Sequence, residues 1–175
     1  MSGYDKNWHV NCFEGRMMKQ HKGFTLIELV VVIAILGILM AVALPKFVSL
    51  QADARVAKMN AALAAVRASA ALAHAQLVAR GFDAGYSGTP APNIVAEGVV
   101  ISYVNGYPTA AVMAALSGLS STDYDITFTG GSSLRVASDS NHANCWFQYN
   151  EAVPGQQPTY TFGGGGNGIL ISECG

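Results

Sequence analysis

Apolar residues fill positions 24–44 almost without interruption, broken by a single charge, Glu28, four residues after Phe24. A short basic stretch, Lys19-Gln20-His21-Lys22-Gly23, comes just before the run. About 20 helical residues cover about 30 Å, so the run is long enough to cross a bilayer. Beyond Lys46 the pattern becomes two-sided. Phe47, Leu50, Ala54, Ala57, Ala61, Ala64, Ala68, Ala71, Ala75 and Val78 recur at steps of three and four, which makes one stripe on a helix. Val56, Met59, Leu63, Val66, Ala70, Ala73 and Leu77 form a neighbouring stripe. Two apolar faces need two packing partners. The stripe with the larger side chains is assigned to the chain's own sheet, and the alanine-rich one suits close helix–helix approach. Pro45 removes a backbone donor, so a kink or local break is expected there, and Gly37 is a second weak point. Gly81 follows Arg80 as the expected C-terminal cap. A continuous helix over residues 24–80 would be about 85 Å long at about 1.5 Å per residue, so a rod with a head is expected.

The remaining chain reads as short strands and turns. Residues 81–93 form a Gly/Pro/Ser loop. Residues 99–104 read as a strand ending in an Asn105-Gly106 turn, and Pro108 opens a short helix that runs to Leu116. Strands are expected at 124–129, 133–137, 145–149, 159–162 and 169–173, with a Gly130-Gly131 turn between the first two. Their spacing favours an antiparallel meander in a single small sheet, with the long helix covering its apolar face. The expected fold class is therefore α+β: a long N-terminal helix packed on a small antiparallel sheet. No internal repeat is present.

Composition sharpens this picture at two points. Only 12% of residues are charged, about half the usual share, and 51% are hydrophobic; the excess is concentrated in the 24–44 run and the alanines of 61–79. From position 24 onward there are six basic and nine acidic side chains, a net of −3. A net-acidic chain without a basic cluster argues against nucleic acid as the main partner.

Glu28 is the sharpest chemical feature. An ionisable group at the centre of a bilayer costs roughly 2.5–3.5 kcal/mol on insertion scales and is functional by default. The string KGFTLIELVVVIAILGILMAVALPKF, residues 22–47, resembles the N-terminal signature of type IV pilins and of the type II secretion pseudopilins. A looser likeness continues through Leu50-Gln51-Ala52-Asp53-Ala54-Arg55 and Gly106-Tyr107-Pro108, most similar to the mannose-sensitive haemagglutinin type of pilin.

The resemblance implies a division of the chain. Residues 1–23 would be a leader removed by a prepilin peptidase, with translation starting at Met17 or Met18 so that 1–16 or 1–17 is upstream sequence; an unusually long leader is the alternative. Residues 24–44 would be the transmembrane and assembly helix, 45–80 an amphipathic continuation, and 81–175 the head. Cleavage would fall between Gly23 and Phe24, and Phe24 would be N-methylated. The new cationic amine of Phe24 would pair with Glu28 of another copy and set the subunit register; a carboxylate held protonated in lipid is the competing reading. An ordinary secretory signal cut after Ala41-Val42-Ala43 is a rival for the whole segment, but such a signal gains nothing from Glu28.

With the leader gone, Cys145 and Cys174 remain in an extracytoplasmic, oxidising place, an even number. A bridge would close a loop of about 30 residues, worth about 3–4 kcal/mol in the chain-entropy model. Two unpaired buried thiols are the alternative. In the family this cystine bounds an exposed variable loop, and major pseudopilins usually lack it.

Other chemistry is weaker. Gly163–Gly165, Gly166 and Gly168 are followed by a strand-like run, unlike a phosphate-cradling loop. Asp123, Asp125 and Asp139 have too few acidic neighbours to define a calcium site, and His142 is the only companion near the cysteines. His74 reads as a solvent-facing or interface histidine. No serine sits in a nucleophile elbow, and neither a cofactor nor a metal is implied.

The resulting function is a structural subunit: a precursor held in the inner membrane, cleaved, N-methylated and polymerised into a surface fibre. Its implied partners are further copies of itself, the prepilin peptidase, an inner-membrane assembly platform with its ATPase, membrane lipid before assembly, and host or surface glycans. A minor pilin or pseudopilin is the nearest alternative. A membrane-tethered sugar- or DNA-binding module belongs to another class, and an anchored enzyme has no site to name.

Overall fold

The computed structural model describes residues 23–90, 93–142 and 144–175. The expected leader, with His9 and Cys12, lies outside these residues except for Gly23. The chain divides into two units, residues 1–41 and 42–175. Helix α1, Leu26–Ala79, is assigned across both.

In the first unit every described side chain is exposed. Leu26, Ile27, Ile38 and Leu39 are among the exposed aliphatic residues. A helix that is apolar on all sides is a buried or membrane-spanning helix, and α1 is long and apolar enough to cross a membrane.

In the second unit, α1 continues through Pro45 without interruption. The local break expected there does not occur. Proline removes only its own N–H, and the flanking turns keep theirs. Gly37, in the first unit, is helical as well.

The two stripes separate as the pattern predicts. Met59, Leu63, Val66, Ala70, Ala73 and Leu77 are buried, whereas Ala57, Ala61, Ala64, Ala68, Ala71 and Ala75 are exposed. The helix closes in a Schellman arrangement. Gly81, at φ +83°, donates to the Val78 carbonyl at 2.9 Å, and Phe82 donates to the Leu77 carbonyl at 3.3 Å. Phe82 then packs in the same cluster as Leu77, which is the hydrophobic contact that accompanies such caps.

The expected strand at 99–104 is two strands in two separate hairpins. β1 (Val95–Ala96) pairs with β2 (Val99–Val100), and β3 (Tyr103–Val104) pairs with β4 (Tyr107–Pro108). Both two-residue turns, Glu97-Gly98 and Asn105-Gly106, have positive φ at each position, as type I′ hairpins require. Asn105-Gly106 is an obvious turn signal; Glu97-Gly98 is not. Helix α2, Ala110–Leu116, follows, and its first amide donates to Glu151 Oε1 at 2.7 Å.

The main sheet has the order β5-β6-β7-β8, all antiparallel: Asp125–Thr129, Ser133–Ala137, Trp146–Asn150 and Thr159–Phe162. The meander is as expected, but the sheet is accompanied by two hairpins rather than standing alone. Leu134, Val136, Phe147 and Tyr149 alternate inward and share a core with Met59, Leu63 and Val66 of α1 and Met113 of α2. A second cluster joins Ala73 and Leu77 to Ile94, Ile101, Tyr103 and Leu116.

The strand expected at 169–173 is incorrect: Ile171–Cys174 is one turn of helix, α3. The run Ile169-Leu170-Ile171 reads as a strand by composition, yet Leu170 and Ile171 are exposed and unpaired with the sheet. Cys174 is instead fully buried against Cys145, and a closing helical turn places it there.

Candidate assembly site

Thr25 stands immediately before α1 and Glu28 is its third residue, and the two form a reciprocal cap. Thr25 donates its backbone N–H to Glu28 Oε2 at 2.8 Å and its hydroxyl to the same oxygen at 2.9 Å. The Glu28 amide donates back to Thr25 Oγ1 at 3.3 Å. This is a capping box, which satisfies amides the first helical turn leaves open. The negative carboxylate also sits at the positive end of the helix dipole. Phe24 is 91% exposed beside it. In this uncut chain the Phe24 nitrogen is a peptide nitrogen. Sequence reasoning missed Thr25, although Thr-x-x-Glu at the start of an apolar run is the signal that finds it.

In the second unit Cys145 and Cys174, 29 positions apart in sequence, are joined by a disulfide with Cα atoms 4.7 Å apart. Both are fully buried in the core that α1 shares with the sheet. Arg55 of α1 braces this corner by donating from Nη1 to the Cys174 carbonyl at 3.0 Å. Its Nε lies 3.6 Å from Asp139 Oδ2, a charge contact rather than a hydrogen bond.

Asp139 organises the turn that precedes Cys145. Its Oδ1 accepts from the amides of Asn141 and His142 and from the His142 ring nitrogen Nδ1 at 2.6 Å. Partial burial pushes the carboxyl upward, but the His142 hydrogen bond, the Asn141 amide, the His142 charge and the Ser138 hydroxyl outweigh it and hold the group below the usual carboxylate range. Lys58 bonds the carbonyls of Asp123 and Ser138 and lies over the Tyr124 ring at 4.4 Å. Arg55 and Lys58 of α1 thus reach the same region, one through the Asp139 carboxylate and the other through the Asp123 and Ser138 carbonyls. Among the described residues no three His, Cys, Asp or Glu side chains gather as a metal site.

His74, expected to be solvent-facing or at an interface, is held in place by contacts within the second unit. It is half-buried, bonds the Gly106 carbonyl through Nδ1 at 2.8 Å and stacks on Tyr107 with ring centroids 4.3 Å apart.

Residues 18–44 match the prokaryotic N-terminal methylation motif. The amino-terminal segment is type IV pilin-like. It is similar to the type IV narrow pilus major component PilA5 of Thermus thermophilus, 54% identical over 55 residues, which is 31% of this chain and 47% of that one. It also resembles a fimbrial protein of Pseudomonas aeruginosa, 43% identical over 53 residues, 30% of this chain and 34% of that one. The type IV major pilin protein PilA of Myxococcus xanthus is 50% identical over 40 residues, 23% of this chain and 18% of that one. The chain thus spans less than half the length of these relatives. They give no support to the narrower likeness to the mannose-sensitive haemagglutinin type. No solved structure matches the chain. The pilin-like segment carries the capping box, so the residues that close the helix start are those the motif covers.

Proposed function

We propose that this chain is the structural subunit of a type IV pilus. The observation that carries the reading is the pairing of a methylation motif with a wholly exposed apolar stretch of α1, residues 26–41, whose one acid is Glu28. Such a surface needs lipid before assembly and other helices afterwards. A prepilin peptidase would cut between Gly23 and Phe24 and methylate Phe24, leaving a cation that pairs with Glu28 of a neighbouring copy. The precursor resides in the inner membrane with residues beyond about 45 outside the cytoplasm, and an assembly platform with its ATPase draws it into a surface fibre. Withdrawal of an apolar helix from lipid is uphill, so the machine must do work. Adhesion to host or surface glycans is the outward part of this role. No catalytic step is assigned to any residue.

The test is mass spectrometry of sheared fibres alongside a Glu28→Ala strain. The expected fibre subunit begins at a methylated Phe24 and carries the Cys145–Cys174 bond. Glu28→Ala should be cleaved and membrane-inserted but give no fibres. A fibre subunit that retains residues before position 24, or normal fibre yield from the variant, would overturn the proposal.

A further inference from the structure

Two depressions meet beside the His74–Tyr107 stack. The larger, about 520 Å³, is lined by Arg67, His74, Tyr107, Gln157, Pro158 and Tyr160, with Ala70 and Ala71 at its base. The smaller, about 260 Å³, shares His74, Tyr107 and Gln157 and continues to Asn105 and Gln156. The larger lobe falls within the usual range for small-ligand sites, about 300–1,000 Å³. Both lobes lie wholly within the second unit.

Arg67 decides the ligand's charge. Its guanidinium lies over the Tyr160 ring, 4.8 Å from the centroid, and no carboxylate or carbonyl among the described residues accepts from it. A guanidinium held over a ring face keeps its N–H donors available, which suits bidentate capture of a carboxylate. No Asp or Glu lines either lobe, so an entering anion meets no like charge in the walls.

The remaining walls mix hydrogen-bonding side chains with the apolar surface of Ala70, Ala71 and Pro158. His74 uses Nδ1 on the Gly106 carbonyl, so Nε2 is its free nitrogen. Asn105 donates Nδ2 to the Ala152 carbonyl at 2.7 Å, which leaves its side-chain oxygen as an acceptor. Tyr107, Tyr160 and Gln157 also line the larger lobe and carry further donors and acceptors. A ligand dense in hydroxyl groups matches it.

We propose that this groove binds a carboxylate-bearing sugar, a uronic-acid-type unit, with Arg67 holding the carboxylate and His74, Tyr107, Asn105 and Gln157 reading the ring hydroxyls. It deepens the adhesive side of the fibre reading, but the binding itself needs no fibre.

The probe is a hyaluronan tetrasaccharide, with its carboxyl-reduced neutral counterpart and dextran sulfate as comparators, titrated onto full-chain protein in detergent. The acidic tetrasaccharide should bind, and the neutral counterpart should bind about tenfold or more weakly. Arg67→Ala should lose about as much, Arg67→Lys less, and Gln157→Ala, on a surface loop, should weaken binding several-fold without changing the circular dichroism of the chain. Equal binding of the neutral sugar, or unaltered binding by Arg67→Ala, overturns the assignment. Dextran sulfate bound as tightly as the tetrasaccharide also overturns it, because the groove would then be a general anion patch. Repeating the titration on sheared fibres separates the two claims. Binding by the detergent-held chain but not by fibres keeps the sugar site and removes its adhesive role, and absence of fibres leaves the detergent titration valid.

Discussion

At the scale of single residues, Asp139 shows how a modest group is made useful by its partners. Three donors converge on one oxygen and an arginine stands near the other, so the ionised form is favoured in the folded chain. The folded pKa is lowered, hence the unfolded chain takes up the proton first as pH falls. The stabilisation is therefore complete above the ordinary carboxylate value of about 4 and disappears as pH drops through the lower folded value. The carboxylate is 38% exposed, so solvent screens part of the effect. Melting of the full chain in detergent should fall more steeply between about pH 4 and pH 2 than melting of Asp139→Asn. Parallel curves would show that the turn before Cys145 owes nothing to this charge.

At the scale of elements, the cystine and the α1 face can be compared as ways of closing the second unit. The bond ties α3 back to the start of β7, and the loop it closes contains β8 and the Gly163–Gly165 turn. Removing a native disulfide from a small extracytoplasmic domain typically costs about 2–5 kcal/mol. Cys145→Ser/Cys174→Ser should therefore melt clearly below the parent chain, and reduction of the parent should reproduce the shift. No change under either treatment would mean that Arg55 and the core alone hold the corner.

The same elements show what was legible beforehand. The helix faces were readable because burial follows a 3.6-residue period, and β6 and β8 because Gly130-Gly131 and the alternating runs bracket them. Helix α3 was not. Four residues carry too short a pattern to separate a strand from a turn of helix, and its placement is set by a partner 29 residues away. Of the kink or local break expected at Pro45, the break is absent because one missing donor does not end a helix whose neighbouring turns are intact. The paired cysteines could be read from number and compartment. The roles of Arg55 and His74 could not, because each depends on a carbonyl distant in sequence: Cys174 for one and Gly106 for the other.

At the scale of the whole molecule, the exposed alanine stripe tests the polymer reading independently of Glu28. Ala57, Ala61 and Ala64 face away from the core on the same helix whose neighbouring face is buried. Small side chains allow helix backbones to approach closely, and a longer side chain on such a face keeps them apart. Within the isolated chain these positions have no packing to lose, so Ala61→Leu or Ala64→Leu should shift stability by no more than about 0.5 kcal/mol. If copies associate through this face, the same substitutions should cut fibre yield several-fold while cleavage and membrane insertion continue. Two readouts therefore move apart: a nearly unchanged melting curve for the detergent-held chain, and a depleted sheared fraction. Wild-type fibre yield from both variants would assign the packing surface to the apolar run alone and leave the alanine stripe facing solvent in the fibre.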